Sequence, residues 1–252
     1  MRNLFMNFVN EFYLIIPIHF VILFIFIKLR VLYLFSRARY LEALPDHVRN
    51  NYYEYSHSSL ESLFIMLIAS LHFTPYPDPH FQVKSKSVLE LGSGCGLVGI
   101  TAGFLGARDV VLTDLPYAMP LMKENVNTNM TKVQASLCVK IRCMTCDWFN
   151  PPGVDEFGFS LIGSEYSKFP DVILIADCVW VEHLVNPLLK TIDCLTDGHT
   201  EVIISYQRRG RTAHEALWCG LRTLFNSFEE VKMCDDLNLT KPDSLFLLRC
   251  RK

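Results

Sequence analysis

One segment constrains this chain before anything else in it: Val88-Leu89-Glu90-Leu91-Gly92-Ser93-Gly94-Cys95-Gly96-Leu97. A short apolar run meets glycine at every second position, and an apolar pattern of helical period follows. A strand ending in a tight turn needs residues without Cβ where a ligand and the next helix must approach the backbone. The segment therefore reads as strand, glycine turn and helix start. The rest of the chain repeats that theme. Strands are predicted at Ser87–Leu91, Val110–Thr113, Ser136–Arg142, Asp171–Ala176, Glu201–Tyr206, Glu229–Met233 and Ser244–Arg251. Helices are predicted between them at Leu97–Leu105, Tyr117–Asn129, Val185–Leu195 and Thr212–Phe225. Such alternation implies an α/β fold, doubly wound around a mostly parallel seven-stranded, Rossmann-like sheet.

Glycines at alternate positions are by themselves a weak signal, shared with dinucleotide sites. Two details separate this turn from those. The spacing is not Gly-x-Gly-x-x-Gly, and Glu90 stands two places before the first glycine. A carboxylate there would repel a pyrophosphate, which argues against a nicotinamide-linked oxidoreductase. It suits a ligand that carries a sulfonium and an ammonium group and no phosphate. About 20 residues on, Val110-Val111-Leu112-Thr113-Asp114 ends the second strand in a carboxylate, the position from which an Asp accepts from the two hydroxyls of a ribose. The competing reading makes Asp114 a helix N-cap, since Pro116 follows close behind. Cys146-Asp147-Trp148 follows the third strand, where an aromatic ring can lie against adenine with Asp147 near its exocyclic amine; a core tryptophan is the alternative. The next strand ends Ile175-Ala176-Asp177-Cys178-Val179-Trp180, a second carboxylate and aromatic at the edge where parallel sheets bind ligands.

In this order, the stretch Val88–Ile100, Thr113-Asp114-Leu115-Pro116, Asn125 with Asn129, Asp147-Trp148 and Asp171–Trp180 resembles the seven-β-strand methyltransferases. It is most similar to their non-histone protein lysine methyltransferase branch, which modifies chaperones, elongation factors and other ATPases. The resemblance covers about Tyr52 to Lys252. It implies S-adenosylmethionine as cofactor, bound by Glu90, Gly92, Ser93, Gly94, Gly96, Asp114, Leu115, Asp147, Trp148 and Ala176. It also implies a protein substrate whose lysine faces Asp177 and Trp180. Two positions depart from the family pattern: Trp180 stands where a Tyr is usual, and Tyr55 where a Trp usually precedes the glycine turn, with Tyr55 its substitute at the cofactor. A lysine amine, pKa about 10.4, must lose its proton before it can attack. Asp177 is expected to orient it, with Trp180 and Tyr206 as an aromatic wall around its stem. The alternatives are a small-molecule N- or O-methyltransferase on the same fold, and a cofactor-binding interaction module without catalysis.

The net charge of −2 argues against a nucleic-acid partner held by broad phosphate neutralisation. Nine scattered cysteines, mostly within apolar runs, fit reduced thiols in a reducing compartment. Cys143-x-x-Cys146 lacks a second pair at usable spacing, so no metal is expected. Arg208-Arg209-Gly210-Arg211 reads as a solvated turn or as a contact for an acidic partner surface, and Asn150–Phe169 as a functional loop. Phe12–Ile27 carries no charge; its roughly 24 Å of helix falls short of the ~30 Å hydrocarbon core, but can be extended through Lys28 and Arg30 to Phe35. A membrane anchor over residues 12–35 is expected. A packed apolar helix, or a wrongly assigned start of the coding region, is the alternative. The cations after the run would leave the catalytic domain in the cytosol; without an anchor the chain would be soluble and cytoplasmic. The expected organisation is an N-terminal hydrophobic helical segment 1–40, a connector with one helix at 41–86, and a monomeric catalytic domain at 87–252.

Overall fold

Runs of Val, Ile and Leu without polar alternation mark strands covered on both faces. The computed structural model describes residues 83–130, 139–159, 168–231 and 244–252, and there β1 (Ser87–Leu91) and β4 (Val172–Ala176) are buried at every position. With β2 (Asp109–Asp114), β3 (Lys140–Thr145), β5 (Glu201–Gln207), β6 (Ser227–Glu230) and β7 (Leu245–Arg251) they form one sheet of order β3-β2-β1-β4-β5-β7-β6. The pairings from β3 through β5 are parallel, whereas β7 runs antiparallel to both β5 and β6.

Alternate residues of the central strands face opposite ways and build two cores. Leu89, Leu91, Ile173 and Ile175 pack with Leu188, Ile192, Leu217 and Leu221 of α3 (Glu182–Cys194) and α4 (Arg211–Leu224). Val88, Val110, Leu112 and Leu174 pack with Ile100 of α1 (Leu97–Phe104) and Met122 of α2 (Met119–Met130). Burial of both faces is what the unbroken apolar runs call for. The order reverses between β1 and β4, and in open α/β sheets the crevice at such a reversal, beyond the strands' C-terminal ends, is where ligands sit. The far end of this pair is fastened by Ser87, whose N–H (2.7 Å) and Oγ (2.8 Å) both donate to Asp171 Oδ2.

Both expected edge strands need correction. The third runs Lys140–Thr145 rather than Ser136–Arg142, because β2 sets its register from Asp109↔Lys140 to Asp114↔Thr145. The sixth begins at Ser227, two residues before Glu229, paired with Arg251 of β7. Each has one neighbour and little burial, so their composition carried a weak periodic signal. The expected functional loop is tied down in its first half: Phe157 is buried, and Arg142 donates to the carbonyl oxygens of Phe157 and Gly158. The N-terminal apolar segment and Tyr55 lie outside the described residues. Among the described residues no helix is long and apolar enough to cross a membrane.

Candidate functional site

The glycine turn is held from below and left open above. Gly92 has φ +68°, and a Cβ there would stand 2.5 Å from Cys178 Sγ and 3.1 Å from the Trp148 ring. Gly94 has φ +56°, and a Cβ there would meet nothing within 4 Å. The first glycine is required by packing; the second leaves exposed backbone that a ligand can approach. Ser93 locks the turn to β2, its N–H donating to Thr113 O (2.8 Å) and its Oγ accepting from Thr113 N–H (3.0 Å). Thr113 Oγ1 in turn donates to Glu90 O (2.7 Å). Gly96, the N-cap of α1, closes the turn by donating to Ser93 O, and Asn125 Nδ2 reaches over from α2 to Cys95 O (2.9 Å).

Glu90 does not lie open to the crevice. It is 2% exposed, and its Oε2 accepts from the N–H of Gly99 in the first turn of α1 (2.9 Å). Gly96 offers that helix no side-chain cap, so the carboxylate supplies from β1 an acceptor that the N-cap lacks. Burial pushes its pKa from 4.5 up to about 8. Asp114 stands at the tip of β2 with Oδ2 accepting from Gly94 N–H and Oδ1 from Leu115 N–H, both at 2.7 Å. It does not cap the short 3₁₀ turn Pro116–Ala118, whose N-cap is Leu115 without a side-chain bond. Burial raises the Asp114 carboxyl above its ordinary range. Leu115 beside it is partly exposed.

Trp148 packs its ring against the Gly92 side of the turn and against the core cluster that includes Leu91 and Ile175. Asp147 is exposed and shapes the following turn, its Oδ1 accepting from Phe149 N–H at 3.0 Å. At the tip of β4, Ala176 is buried and Asp177 takes φ +55°, a conformation a non-glycine residue holds only with tertiary support. The support is present: Asp177 N–H donates to Ser205 O (2.8 Å), and Arg209 Nη2 donates to Asp177 Oδ2 at 2.6 Å, each side chain 9% exposed. Cys178 follows, with Sγ under Gly92; burial, with Asp114, Asp177 and Glu90 nearby, holds its thiol well above the ordinary value. Trp180 is half-buried in the segment leading to α3.

Two expectations change here. Tyr206 cannot wall the acceptor site, because it is fully buried in β5 with its hydroxyl bonded to His214 Nδ1 and to Trp218 Nε1, both at 2.7 Å. The arginine patch divides: Arg209 is half-buried and pairs with Asp177, whereas Arg208, over Phe246, and Arg211, paired with Glu215, are exposed. Sequence reasoning missed Arg209, Cys178 and the Asn125 tether. The first was within reach, since pairing of the fourth and fifth strands brings Ala176 beside Ser205. In chemical terms Gly94 leaves open space at the backbone beside the Asp114 carboxyl, and the neighbouring strand tip carries Asp177 paired with Arg209. That set fits a nucleoside bearing a cationic chain better than a phosphorylated one.

Comparison with known proteins agrees. A family described as "Lysine methyltransferase" matches residues 61–218. The chain belongs to the lysine methyltransferase family. Among similar proteins, EEF1A lysine methyltransferase 3 of Xenopus tropicalis is 29% identical over 53% of this chain and 52% of its own length. Protein N-lysine methyltransferase METTL21A of the same organism is 34% identical over 54% and 56%. The chain thus spans about half the length of the relatives it matches. In fold the chain is also similar to precorrin-6y C5,15-methyltransferase of Geobacter metallireducens, at 11% identity and TM-score 0.50, over 77% of this chain and 88% of the other.

Proposed function

We propose that this chain transfers a methyl group from S-adenosylmethionine to a lysine side chain of a protein substrate, acting as a monomer. The observation that carries the reading is the convergence of Gly92–Gly96, Asp114 and Asp177 on one crevice at the topological switch of a lysine methyltransferase family member. S-adenosylmethionine supplies a methyl group already activated by its sulfonium. The residues present fit it: Gly94 leaves room at the backbone, Asp114 keeps lone pairs for ribose hydroxyls, and Trp148 offers a ring edge for adenine. Ser93, Gly96 and Asn125 hold the turn, and Asp147 fixes the Trp148 segment; Leu115 and Ala176, next to the strand-end carboxylates in sequence, are the proposed flanking contacts of the cofactor. Glu90 acts from beneath, through the start of α1.

For the acceptor, Asp177 orients the amine and Trp180 flanks its stem. Binding energy goes chiefly into alignment and exclusion of water, because displacement at the methyl carbon is in line and needs no further activation of the donor. The test is labelling: the full chain is incubated with methyl-labelled S-adenosylmethionine and cytosolic lysate, and the products are hydrolysed. Label in methyl-lysine of protein is the expected result. Label confined to small molecules would favour that substrate class instead, and cofactor binding without any label would favour a non-catalytic module. The uncharged run Phe12–Ile27, followed by Lys28, Arg30, Arg37 and Arg39, supports a membrane anchor with the remainder in the cytosol. Full-length protein should then resist alkaline carbonate extraction; its release would remove the anchor from the reading.

A further inference from the structure

We infer that Arg209 is a positioning residue of the acceptor site, the fixed counter-charge that lets Asp177 orient a neutral amine without holding its proton. The inference rests on the reading of Asp177 as the acceptor's partner. A lone carboxylate is a poor neighbour for this reaction. An opposite charge close by favours the ammonium form and raises its pKa, and an ammonium has no lone pair to offer a methyl group. Asp177 does not stand alone. The Arg209 guanidinium is 2.6 Å from its Oδ2, and both side chains are only 9% exposed, so water screens the pair little. The contact is built rather than casual: Asp177 is held at φ +55° and tied to Ser205 of β5, the strand that leads directly into Arg209.

Among the described residues, the other titratable groups that stand near this spot are a thiol and two carboxyls. Cys178 adjoins on the same strand end, its thiol kept protonated by burial, while Glu90 and Asp114 stand across the glycine turn. Glu90, at about 8, is largely neutral near neutral pH, and burial raises the Asp114 carboxyl as well; the ion pair at this spot is Asp177 with Arg209. With Arg209 in place the pair is close to neutral overall, and Asp177 remains a hydrogen-bond acceptor. The substrate ammonium releases its proton to water, and the resulting amine donates one N–H to Asp177 while its lone pair stays free.

The test uses the full chain and n-butylamine as a mimic of the lysine side chain, titrated by NMR at pH 7.5 and again above pH 10. Butylammonium at pH 7.5 should bind Arg209→Gln at least about fivefold more tightly than wild type, because the carboxylate is then uncompensated. Arg209→Lys should match wild type, and Asp177→Asn, which keeps the arginine alone, should bind at least about fivefold more weakly. In methyl transfer to lysine, the acid limb of kcat, which reports the bound amine, should move to higher pH in Arg209→Gln, with cofactor affinity within a few-fold of wild type. Equal butylammonium affinity in wild type, Arg209→Gln and Asp177→Asn, with superimposable pH profiles for wild type and Arg209→Gln, overturns the inference and leaves lysine methylation standing. A wild-type chain that labels no protein lysine overturns the reading beneath it as well.

Discussion

At the scale of single residues, Glu90 and Asp114 differ in how much of their role can be seen without coordinates. That a carboxylate precedes the glycines is plain in the sequence; that it turns under α1 depends on the path of the chain nine residues later. Its pKa of about 8 in the folded protein, against 4.5 ordinarily, gives a signed expectation. Between those values the folded state keeps a proton that the unfolded state has released, so stability falls as pH rises through that window. The loss is absent below it and complete above it. Glu90→Gln removes the titration and keeps an acceptor for Gly99, so urea melts at pH 5 and pH 8.5 should show a drop of more than about 1 kcal/mol in wild type and little in the variant. Parallel drops would mean that Glu90 is not the group responsible. Asp114 makes two backbone bonds inside the protein, so its loss acts twice. Asp114→Ala should weaken S-adenosylmethionine binding more than tenfold by calorimetry, and lower the melting temperature of the cofactor-free protein by several degrees. Unchanged affinity beside lowered stability would confine Asp114 to the turn.

At the scale of elements, the glycine turn and the central strands were legible because double burial leaves an unbroken apolar run that nothing else explains. The edge strands were not, since Lys140–Thr145 and Ser227–Glu230 alternate only weakly and take their limits from β2 and β7. Tyr206 illustrates a different limit: a residue near a strand's C-terminal end can face a helix as readily as a crevice, and only α4 decides it. Arg209 lay in a run of arginines whose separate partners are Asp177 beyond β4, Phe246 of β7 and Glu215 of α4. The turn itself makes a prediction that separates packing from ligand access. Gly92→Ala places a methyl 2.5 Å from Cys178 Sγ and should destabilise the fold; adding Cys178→Ala should recover part of the loss, with coupling of about 0.5–3 kcal/mol in a double-mutant cycle. Gly94→Ala meets no neighbour, so it should cost only the backbone strain of about 1–2 kcal/mol while cofactor affinity falls further. Additive effects at Gly92 and Cys178 would refute the packing account.

At the scale of the whole molecule, β7 lies between β5 and β6, so the sheet beyond the crevice is completed by a strand from the far end of the chain. Deleting Leu245–Arg251 uncovers one edge of β5 and orphans β6. The truncated protein is expected to lose its cooperative thermal transition, and a retained transition near the wild-type temperature would show that the site-bearing half folds alone. The central pairing carries a consequence in time. β1 finds β4 across a gap of 84 residues at its fastened end, and Cys178 reaches Gly92 across 86. At about 5–20 residues per second, a ribosome that has just made the glycine turn needs roughly 4–17 s more to deliver the cysteine that underlies it. Throughout that interval the nascent chain carries the motif without the cysteine that underlies it, so the site is completed only after the fourth strand has emerged.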